Sequence, residues 1–412
     1  TCSGERSAFS FRGIIMQSNL DPFSWGWKQE LFSLWTQEVS SVSSQTDISC
    51  FLLPARITAK NHHQYDIVCP DYSSFSGFLP CQQKSGLFSS VQVQGSFEYS
   101  VTDESDYPVT GDWVIAQIEG DVIRLRKILP RLTSLSRGRA GNTSGEQVLA
   151  SNIDTLHIVN ALDGGRNFLP SMIERALILA RHSLSSSHII LNKTDLASEE
   201  VKEKALRECE ISFPSIPCTL VSAKTGEGLQ ELSSYLTSGT TAGMLGKSGM
   251  GKSALVNALE KFPARDEDGF NGQNVLEGEV RKADLRGRHT TTSSRLYKLP
   301  SGLLIIDSPG IRELKLWGTE DDVEESFADI ASLSNKCRFS DCTHSGEPGC
   351  AVQEALVTGE LEQERYLRYL ELSKEIAFLK TRTSESSRRN EERKWKQVSK
   401  FQKALKKERG VY

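Results

Sequence analysis

The stretch AGMLGKSGMGKSALVNAL, residues 242–259, places a glycine-rich turn between an apolar strand and a helix. Residues 246–253 match the pattern G-x-x-x-x-G-K-[ST], whose glycines let successive backbone N–H groups curl around phosphate oxygens. The helix that follows adds the positive end of its dipole. In this pattern Lys252 reaches the β- and γ-phosphates, and the Ser253 hydroxyl ligates Mg²⁺. The stretch therefore predicts a nucleoside triphosphate site in an α/β domain, without distinguishing ATP from GTP.

A second phosphate-side motif follows further along the chain. The segment LLIIDSPG ends an apolar strand with the arrangement D-x-x-G, formed by Asp307 and Gly310. In this arrangement the acidic side chain orients the Mg²⁺ shell, and the glycine N–H meets the γ-phosphate. The predicted residues on the phosphate side are Gly246, Lys247, Ser248, Gly249, Met250, Gly251, Lys252, Ser253, Ala254, Asp307 and Gly310.

Two motifs upstream of the loop indicate which base is bound. One predicted strand ends in Asn-Lys-Thr-Asp, residues 192–195, and the next ends in Ser-Ala-Lys, residues 222–224. The Asp195 carboxylate can accept hydrogen bonds from the N1–H and the exocyclic amine of guanine, whereas adenine would leave it unpaired. The Lys193 stem can lie along the base, and the Ala223 N–H can reach the base carbonyl. The predicted guanine-binding residues are Asn192, Lys193, Asp195, Ser222, Ala223 and Lys224.

The base-reading motifs precede the phosphate loop, which is not the order of an ordinary Ras-like GTPase. The sequence around them alternates apolar strands with helical segments, and this alternation predicts a mostly parallel sheet covered by helices. In such a sheet the site lies at the carboxyl ends of the strands. Joining the old termini and cutting elsewhere leaves that site intact. The sequence therefore predicts a circularly permuted GTPase domain over residues 136–316.

The part of the chain before this domain has a different pattern. Residues 51–135 contain short strands separated by turns, which predicts a small β-barrel; an OB-fold is the commonest of that size, and a small sandwich or SH3-like barrel is the alternative. Residues 1–50 lack clear periodicity outside a short helix near WKQELFSLWTQEV, and we assign this extension no role. Because MQSNLDPFSWGW reads as a natural start, residues 1–15 are expected to be a non-native extension or a remnant of a targeting peptide.

A cluster of metal-ligating residue types lies after the predicted GTPase domain. Cys337, Cys342, His344 and Cys350 supply three sulfurs and one imidazole within a short segment. Four such ligands close a tetrahedral shell around Zn²⁺ and leave no open position, which indicates a structural site rather than a catalytic one. We therefore expect residues 317–375 to form a zinc-binding helical domain. The other cysteines are scattered, as expected for free thiols in a reducing compartment.

Charge divides the chain into an acidic body and a basic tail. The net charge is −4, but residues 380–409 contain twelve Lys or Arg against four Asp or Glu, which leaves −12 for the rest. The predicted helical tail, residues 376–412, therefore suits a polyanionic partner. A solvated charged helix is the alternative.

Aromatic residues in the tail favour RNA as that partner. Trp395 and Phe401 lie among basic residues, so Lys and Arg can neutralise phosphates while the aromatic rings stack on unpaired bases or dock on protein. Arg137 and Arg139 in the linker after the barrel add to this basic character. The acidic segment TDESD, residues 102–106, is poorly suited to phosphate contact and leaves the RNA-facing side of the barrel open.

The apolar pattern bears on location. No window approaches the roughly 18 uninterrupted apolar residues that span a bilayer, and the first residues lack the pattern of a secretory signal. We therefore expect no membrane partner. The absence of a convincing transit peptide favours the cytoplasm, with an organellar stroma or matrix as the alternative. We also expect a monomer.

The order of these motifs resembles the small-ribosomal-subunit-dependent GTPase A family, also called RsgA or YjeQ. The resemblance rests on the barrel, NKTD, SAK, GKSGMGKS, LRGRHTTT, DSPG and CRFSDCTHSGEPGC, and covers about residues 50–375. It implies GTP hydrolysis in late assembly of the small (30S) ribosomal subunit, with rRNA binding and stimulation by the subunit. An RNA-binding placeholder that uses GTP only as a conformational sensor is the alternative. An ATP-dependent kinase or ATPase is opposed by the Asn-Lys-Thr-Asp motif.

The resemblance also implies roles within LRGRHTTT. His289 would orient the attacking water, because Ile311, the residue after the D-x-x-G motif, has no hydrogen-bonding side chain where a Ras-type enzyme carries glutamine. A histidine that only packs the loop is the alternative. Either Thr290 or Thr291 would join Ser253 in the Mg²⁺ shell. The expected cofactors are one structural Zn²⁺ and Mg²⁺ with GTP.

Overall fold

The computed structural model describes residues 20–43, 51–61, 64–72, 85–93, 106–120, 122–138, 146–163, 168–262, 294–307 and 316–379. The strands are β1 (Phe51–Asn61), β2 (Gln64–Cys69), β3 (Gly86–Val93), β4 (Trp113–Glu119), β5 (Val122–Ile128), β6 (Ser134–Gly138), β7 (Glu146–Ser151), β8 (Thr155–Ala161), β9 (Ser186–Asn192), β10 (Cys218–Leu220), β11 (Thr241–Leu245), β12 (Arg295–Lys298) and β13 (Leu304–Asp307). The helices are α1 (Gln29–Ser43), α2 (Pro170–His182), α3 (Glu199–Ser212), α4 (Leu229–Ser234), α5 (Lys252–Lys261), α6 (Glu320–Ser326), α7 (Ala328–Ser334), α8 (Ala351–Thr358) and α9 (363–379).

A largely parallel sheet carries the predicted nucleotide motifs. Its strand order is β10-β9-β8-β11-β13-β12, in which the first five strands are parallel and β12 is antiparallel to β13. The central strands β8 and β11 are almost entirely buried, as expected for strands covered by helices on both faces. Although β8, β9 and β10 precede β11 along the chain, their carboxyl ends lie at the same edge of the sheet. The permuted order of motifs is therefore compatible with one site.

The strands before this sheet close into a barrel. Its pairings run β1-β2-β3-β5-β4 and return from β4 to β1, and the β3–β5 pairing is parallel. This closed five-stranded barrel fits the OB-fold rather than a sandwich. Its interior is filled by the inward-facing apolar residues of the strands, including Ile57, Ile67 and Val114. The register pair Ala59–Arg295 joins β1 to β12, so the barrel adjoins the edge of the parallel sheet.

The N-terminal segment packs into the main core. Trp25, Trp27, Leu31 and Trp35 are all buried there, and the Trp27 ring meets the Trp113 ring of β4 edge-on at 4.8 Å between centroids. Tryptophans bury more apolar surface than other side chains, so these three tryptophans, together with Leu31, contribute strongly to the core. Residues 20–35 of the extension therefore have a structural role that their weak periodicity did not reveal.

A buried arginine ties this segment to the barrel and the parallel sheet at once. The Arg56 guanidinium of β1 donates to the carbonyl oxygens of Trp25 (2.6 Å) and Asn152 (3.0 Å), and to the Thr241 hydroxyl (2.9 Å). Complete burial lowers the pKa of Arg56 to about 10, which leaves it charged at neutral pH. Gly26 has a φ of 80°, which favours glycine, and a Cβ there would lie 2.3 Å from an Arg56 nitrogen and displace this guanidinium.

The C-terminal helices dock on helix α2 through a second buried ionic group. Glu174 of α2 is fully buried and accepts from Arg365 and Arg368 of α9, each at 2.9 Å. Burial raises the pKa of Glu174, and Arg368 opposes this rise. Ile178 of α2 is also part of the hydrophobic core of these helices, which includes Phe327. None of the helices within the described ranges is both long and apolar enough to cross a membrane.

Two histidines are buried side by side within the parallel sheet. His157 of β8 is paired in register with His188 of β9, and their ring centroids lie 5.2 Å apart. Burial lowers the pKa of His157 to about 3 and that of His188 to about 4. Both rings are therefore neutral in the folded protein at neutral pH. Below about pH 6.5 the two histidines of the unfolded chain bind protons, whereas those of the folded chain do not.

We expect this pair to make the protein acid-sensitive. The stability due to the neutral rings is complete above pH 6.5 and is lost as pH falls toward the folded-state pKa values. At pH 5 the loss amounts to about 2 kcal/mol for each histidine. Thermal unfolding from pH 7.5 to 5 should show a steeper decline for the wild type than for the double variant His157→Leu, His188→Leu. Parallel curves would contradict this assignment.

Candidate functional site

The two loops predicted to read guanine, called the guanine-reading loops below, lie against each other at the carboxyl ends of β9 and β10. The Ser222 hydroxyl donates to Asp195 Oδ1 at 2.7 Å, and the Lys224 ammonium lies 3.7 Å from Asp195 Oδ2. The hydrogen bond from Ser222 is the main cause that lowers the pKa of Asp195. The carboxylate is thus ionised at neutral pH and can accept two donors from a base edge. Its position was predicted, whereas its link to Ser222 was not.

Asn192 connects the base-reading loops to the phosphate loop. Its side-chain nitrogen donates to the Met250 carbonyl at 3.0 Å, and its side-chain oxygen accepts from the Ala223 N–H at 3.2 Å. Gly251 has a φ of 88°, and a Cβ there would lie 2.4 Å from the Asn192 nitrogen and disturb this contact, so the position favours glycine. The structure therefore brings the upstream and downstream motifs, separated by 58 residues along the chain, into direct contact.

The phosphate loop has the backbone that the glycine pattern requires. Gly246, Gly249 and Gly251 all have positive φ values, of 146°, 87° and 88°. At Gly246 a Cβ would also lie 2.5 Å from the carbonyl oxygen of Val159 in β8. Helix α5 begins at Lys252 directly after these turns, and the Lys252 ammonium donates to the carbonyl oxygens of Gly246 and Lys247. This places the ammonium across the mouth of the loop.

The remaining predicted phosphate-side residues fall into two groups. Asp307 ends β13, which neighbours β11 in the sheet, and Lys247, Ser248, Ser253 and Ala254 lie in the loop or the first turn of α5. The carboxylate and the Ser253 hydroxyl are oxygen ligands of the kind Mg²⁺ prefers, so these residues suit the metal. His289, Thr290, Thr291 and Gly310 lie outside the described residues, and their roles stay predictions.

The four predicted zinc ligands come together in space. The ligand atoms of Cys337, Cys342, His344 and Cys350 all lie within 4.8 Å of one another. The Cys337 and Cys350 sulfurs are 3.9 Å apart, and they lie 3.6 Å and 3.4 Å from His344 Nδ1. A tetrahedral Zn²⁺ with bonds of about 2.3 Å to sulfur and about 2.0 Å to nitrogen needs S···S separations of about 3.8 Å and S···N separations of about 3.5 Å. The cluster therefore fits a closed Zn²⁺ site.

Surrounding groups hold the imidazole in its orientation. His344 Nε2 contacts the Ser334 hydroxyl at 3.0 Å, so Nδ1 faces the sulfurs. The His344 carbonyl accepts from the Gln353 side chain at 2.6 Å. Glu347 accepts from the Thr343 hydroxyl and N–H, and these bonds lower the pKa of Glu347 to about 2. The loop between the ligands is thus arranged by residues that do not themselves bind metal.

Comparison with known proteins identifies the family. The RsgA GTPase family model matches residues 128–317. The Small ribosomal subunit biogenesis GTPase RsgA 1 of Oceanobacillus iheyensis is 36% identical over 319 residues, which cover 77% of this chain and 87% of that protein. The chain belongs to the RsgA family. Another RsgA protein, the Small ribosomal subunit biogenesis GTPase RsgA of Xanthomonas axonopodis, is 42% identical over 342 residues, 82% of this chain and 85% of that protein. The resemblance inferred from the order of motifs is confirmed.

Two solved structures share the fold of this chain. YjeQ from Thermotoga maritima has a TM-score of 0.55 and 23% identity, and the match covers 79% of this chain and 99% of that one. YloQ, described as a circularly permuted GTPase, has a TM-score of 0.53 and 22% identity, with coverage of 81% and 98%. The predicted circularly permuted GTPase fold is therefore confirmed.

Sequence reasoning missed several residues that support the site. Glu227 accepts from the hydroxyl of Thr194 at 3.1 Å, and its carbonyl accepts from the Ser222 N–H at 2.9 Å, so it links the two guanine-reading loops. Asp163 pairs with the Lys193 ammonium at 2.9 Å. The only available signal for Asp163 was its place directly after the strand ending at Ala161, where polar residues of an α/β site gather.

Proposed function

We propose that this chain hydrolyses GTP as a biogenesis factor of the small ribosomal subunit. The contact between Asn192 and the phosphate loop carries the nucleotide part of the proposal. It sets the ionised Asp195 carboxylate and the glycine-rich loop at one edge of the sheet, as a guanine nucleotide requires. The ribosomal part is supported by the names of the relatives, which are small ribosomal subunit biogenesis GTPases.

The proposed roles divide the nucleotide between the two sets of loops. Asp195 accepts from the guanine N1–H and amine, Ala223 donates to the base carbonyl, and Lys193 covers the base. The backbone N–H groups of the loop and the Lys252 ammonium hold the phosphates. Ser253 and Asp307, with Thr290 or Thr291, would hold Mg²⁺, whose charge would offset that of the phosphates.

Water orientation is the slow step in this proposal. No glutamine follows the D-x-x-G motif, and His289 is the proposed residue that hydrogen-bonds the attacking water. An imidazole assists hydrolysis only when it is aligned with the attacking water, and contact with the subunit is proposed to complete that alignment. Basal hydrolysis should therefore be slow, as in Ras-type enzymes that lack their partner's contribution.

The flanking parts are proposed to bind the ribosomal particle. The barrel, the linker arginines and the basic tail would contact rRNA, and the Cys₃His cluster would hold a structural Zn²⁺. The proposed division is an extension to residue 50, a barrel to 135, the GTPase domain to 316, the zinc domain to 375 and the tail to 412. A monomer in the compartment where small subunits assemble, the cytoplasm in a bacterium, completes the proposal.

GTP turnover with and without purified small subunits tests this function. We expect slow basal release of phosphate and a rise of roughly tenfold or more with subunits, because partner contributions to GTPases reach 10³–10⁵-fold. The rise should weaken between low and high salt, since binding to phosphates releases counterions. His289→Ala should abolish the rise while leaving GDP binding intact.

The outcomes separate the alternatives. Equal turnover with and without subunits would contradict a subunit-stimulated GTPase. A wild-type protein that binds subunits only with GTP, but shows no single-turnover hydrolysis on them, would instead be an RNA-binding placeholder that senses GTP. ATP displacing GDP as well as GTP does would contradict guanine specificity.

A further inference from the structure

An ion pair joins Lys193, in the predicted guanine-reading motif, to Asp163, which follows strand β8 and belongs to no recognised motif. The Lys193 ammonium lies 2.9 Å from Asp163 Oδ2, and both side chains are largely shielded, with exposed fractions of 27% and 21%. Asp163 follows the carboxyl end of β8, which lies between β9 and β11 in the sheet. The pair therefore lies at the nucleotide edge, between the strand that leads to the base-reading loop and the strand that leads to the phosphate loop.

The backbone directs Lys193 toward this carboxylate. Lys193 has a φ of 64° and thus adopts the left-handed conformation, which is costly for a lysine and persists only where the surroundings impose it. Its Cε lies 3.9 Å from the position that a Cβ on Gly251 would occupy. The lysine stem therefore passes beside the phosphate loop before its ammonium reaches Asp163, and it spans the region that links base to phosphates.

We propose that Asp163 is a positioning residue for nucleotide binding, which acts by holding Lys193 across the site. This inference rests on the proposed function, because the proposed function places the Lys193 side chain against the face of the guanine base. A free lysine side chain has many rotamers, so ordering it when the nucleotide binds costs free energy. The ion pair with Asp163 orders Lys193 before binding and therefore reduces that cost. Lys193 in turn neutralises a carboxylate that would otherwise repel the nucleotide phosphates.

In this proposal Asp163 acts by holding Lys193 and not by accepting a hydrogen bond from the ribose of the nucleotide. A carboxylate that accepted a ribose hydroxyl would discriminate between GDP and 2′-deoxy-GDP, whereas one that only fixes Lys193 would affect both nucleotides equally. The two possibilities predict different results for the same variant, so the route of action can be measured directly.

The test is a double-mutant cycle on nucleotide dissociation in the full-length protein. We expect Asp163→Ala to accelerate release of fluorescent GDP by about tenfold, the loss typical of a charge-assisted hydrogen bond. Release of the 2′-deoxy nucleotide should accelerate by the same factor. In a Lys193→Met background, Asp163→Ala should not accelerate release, and it should slow release where it removes the carboxylate that no longer has its cation. Asp163→Asn, which keeps the shape of the side chain, should give an intermediate value and guards against a folding defect.

Matched measurements make the outcomes decisive. Glu203→Gln removes an exposed carboxylate 3.1 Å from Arg207 on α3 and should leave GDP release unchanged. Unchanged release in Asp163→Ala, an equal acceleration in the Lys193→Met background, or altered discrimination between GDP and 2′-deoxy-GDP would each overturn the proposal. Failure of the proposed function would look different, because the wild-type protein would then show no preference for GDP over ADP.

Discussion

Asparagine in place of Asp195 is expected to weaken GDP binding by about 10²-fold or more and to create a preference for xanthosine diphosphate. The carboxylate accepts from Ser222 at 2.7 Å, and its lowered pKa keeps it ionised at neutral pH. Guanine presents two donors, N1–H and the exocyclic amine, and both suit a carboxylate. An amide offers one acceptor and one NH₂ group, so the amine of guanine would face another donor and lose its partner.

Xanthine reverses this mismatch. It carries a carbonyl oxygen where guanine carries the exocyclic amine, so an asparagine amide could accept from N1–H and donate to that carbonyl. The Ser222 hydroxyl could still donate to the amide oxygen, which keeps the loop geometry. The change of preference, rather than the loss of affinity alone, therefore identifies residue 195 as the group that reads the base.

Equilibrium titrations with GDP, xanthosine diphosphate and ADP measure this preference. Glu199→Gln is the matched control, because Glu199 is a nearby carboxylate on α3 that pairs with Lys202 at 2.8 Å. The control should keep the wild-type order of affinities. If Asp195→Asn bound GDP as well as the wild type does, or gained nothing for xanthosine diphosphate, Asp195 would not be the base-reading residue.

The nucleotide edge could be predicted because its residues follow a local rule. A parallel strand delivers its next few residues to one edge of the sheet, so short motifs after β9, β11 and β13 could be assigned without long-range information. The Cys₃His cluster could be predicted for a similar reason, since its four residues lie close together along the chain. In both places chemistry requires particular residue types at particular spacings.

The contacts between distant parts could not be predicted in this way. Arg56 bonds to residues 31, 96 and 185 positions away, and the Glu174–Arg365 pair spans 191 positions. The sequence does not distinguish a buried arginine or glutamate from an exposed one, because only the folded chain determines which residues surround it. Asp163 belongs to this class, because its pairing with Lys193 depends on β8 and β9 being neighbours.

Serine in place of Cys342 is expected to release Zn²⁺ and to unfold the loop between the ligands. A hydroxyl is a poor replacement for a thiolate, and four ligands are needed to close the tetrahedral shell. Structural zinc sites supply about 10–16 kcal/mol of apparent binding free energy, so losing the metal removes most of what orders a short, polar loop. Bound zinc per chain should fall from about one to near zero by elemental analysis.

The position of the loop predicts where order is lost. Helix α8 begins directly after Cys350, whose sulfur accepts from the Gln353 N–H, so its first turn depends on the cluster. Helix α9 is anchored separately, because Arg365 bonds to Glu174 and Asp329. Hydrogen exchange should therefore accelerate over residues 337–358 and stay slow near Arg365.

Nucleotide binding separates this local effect from general unfolding. The guanine-reading loops do not depend on the cysteine cluster for their own hydrogen bonds, so Cys342→Ser should bind GDP with unchanged affinity. Cys218→Ser, which alters a half-buried thiol of β10 outside the cluster, should keep one zinc per chain. Stoichiometric zinc in Cys342→Ser would refute the ligand assignment. Fast exchange throughout α9 would show instead that the buried ion pair cannot hold this helix without the metal.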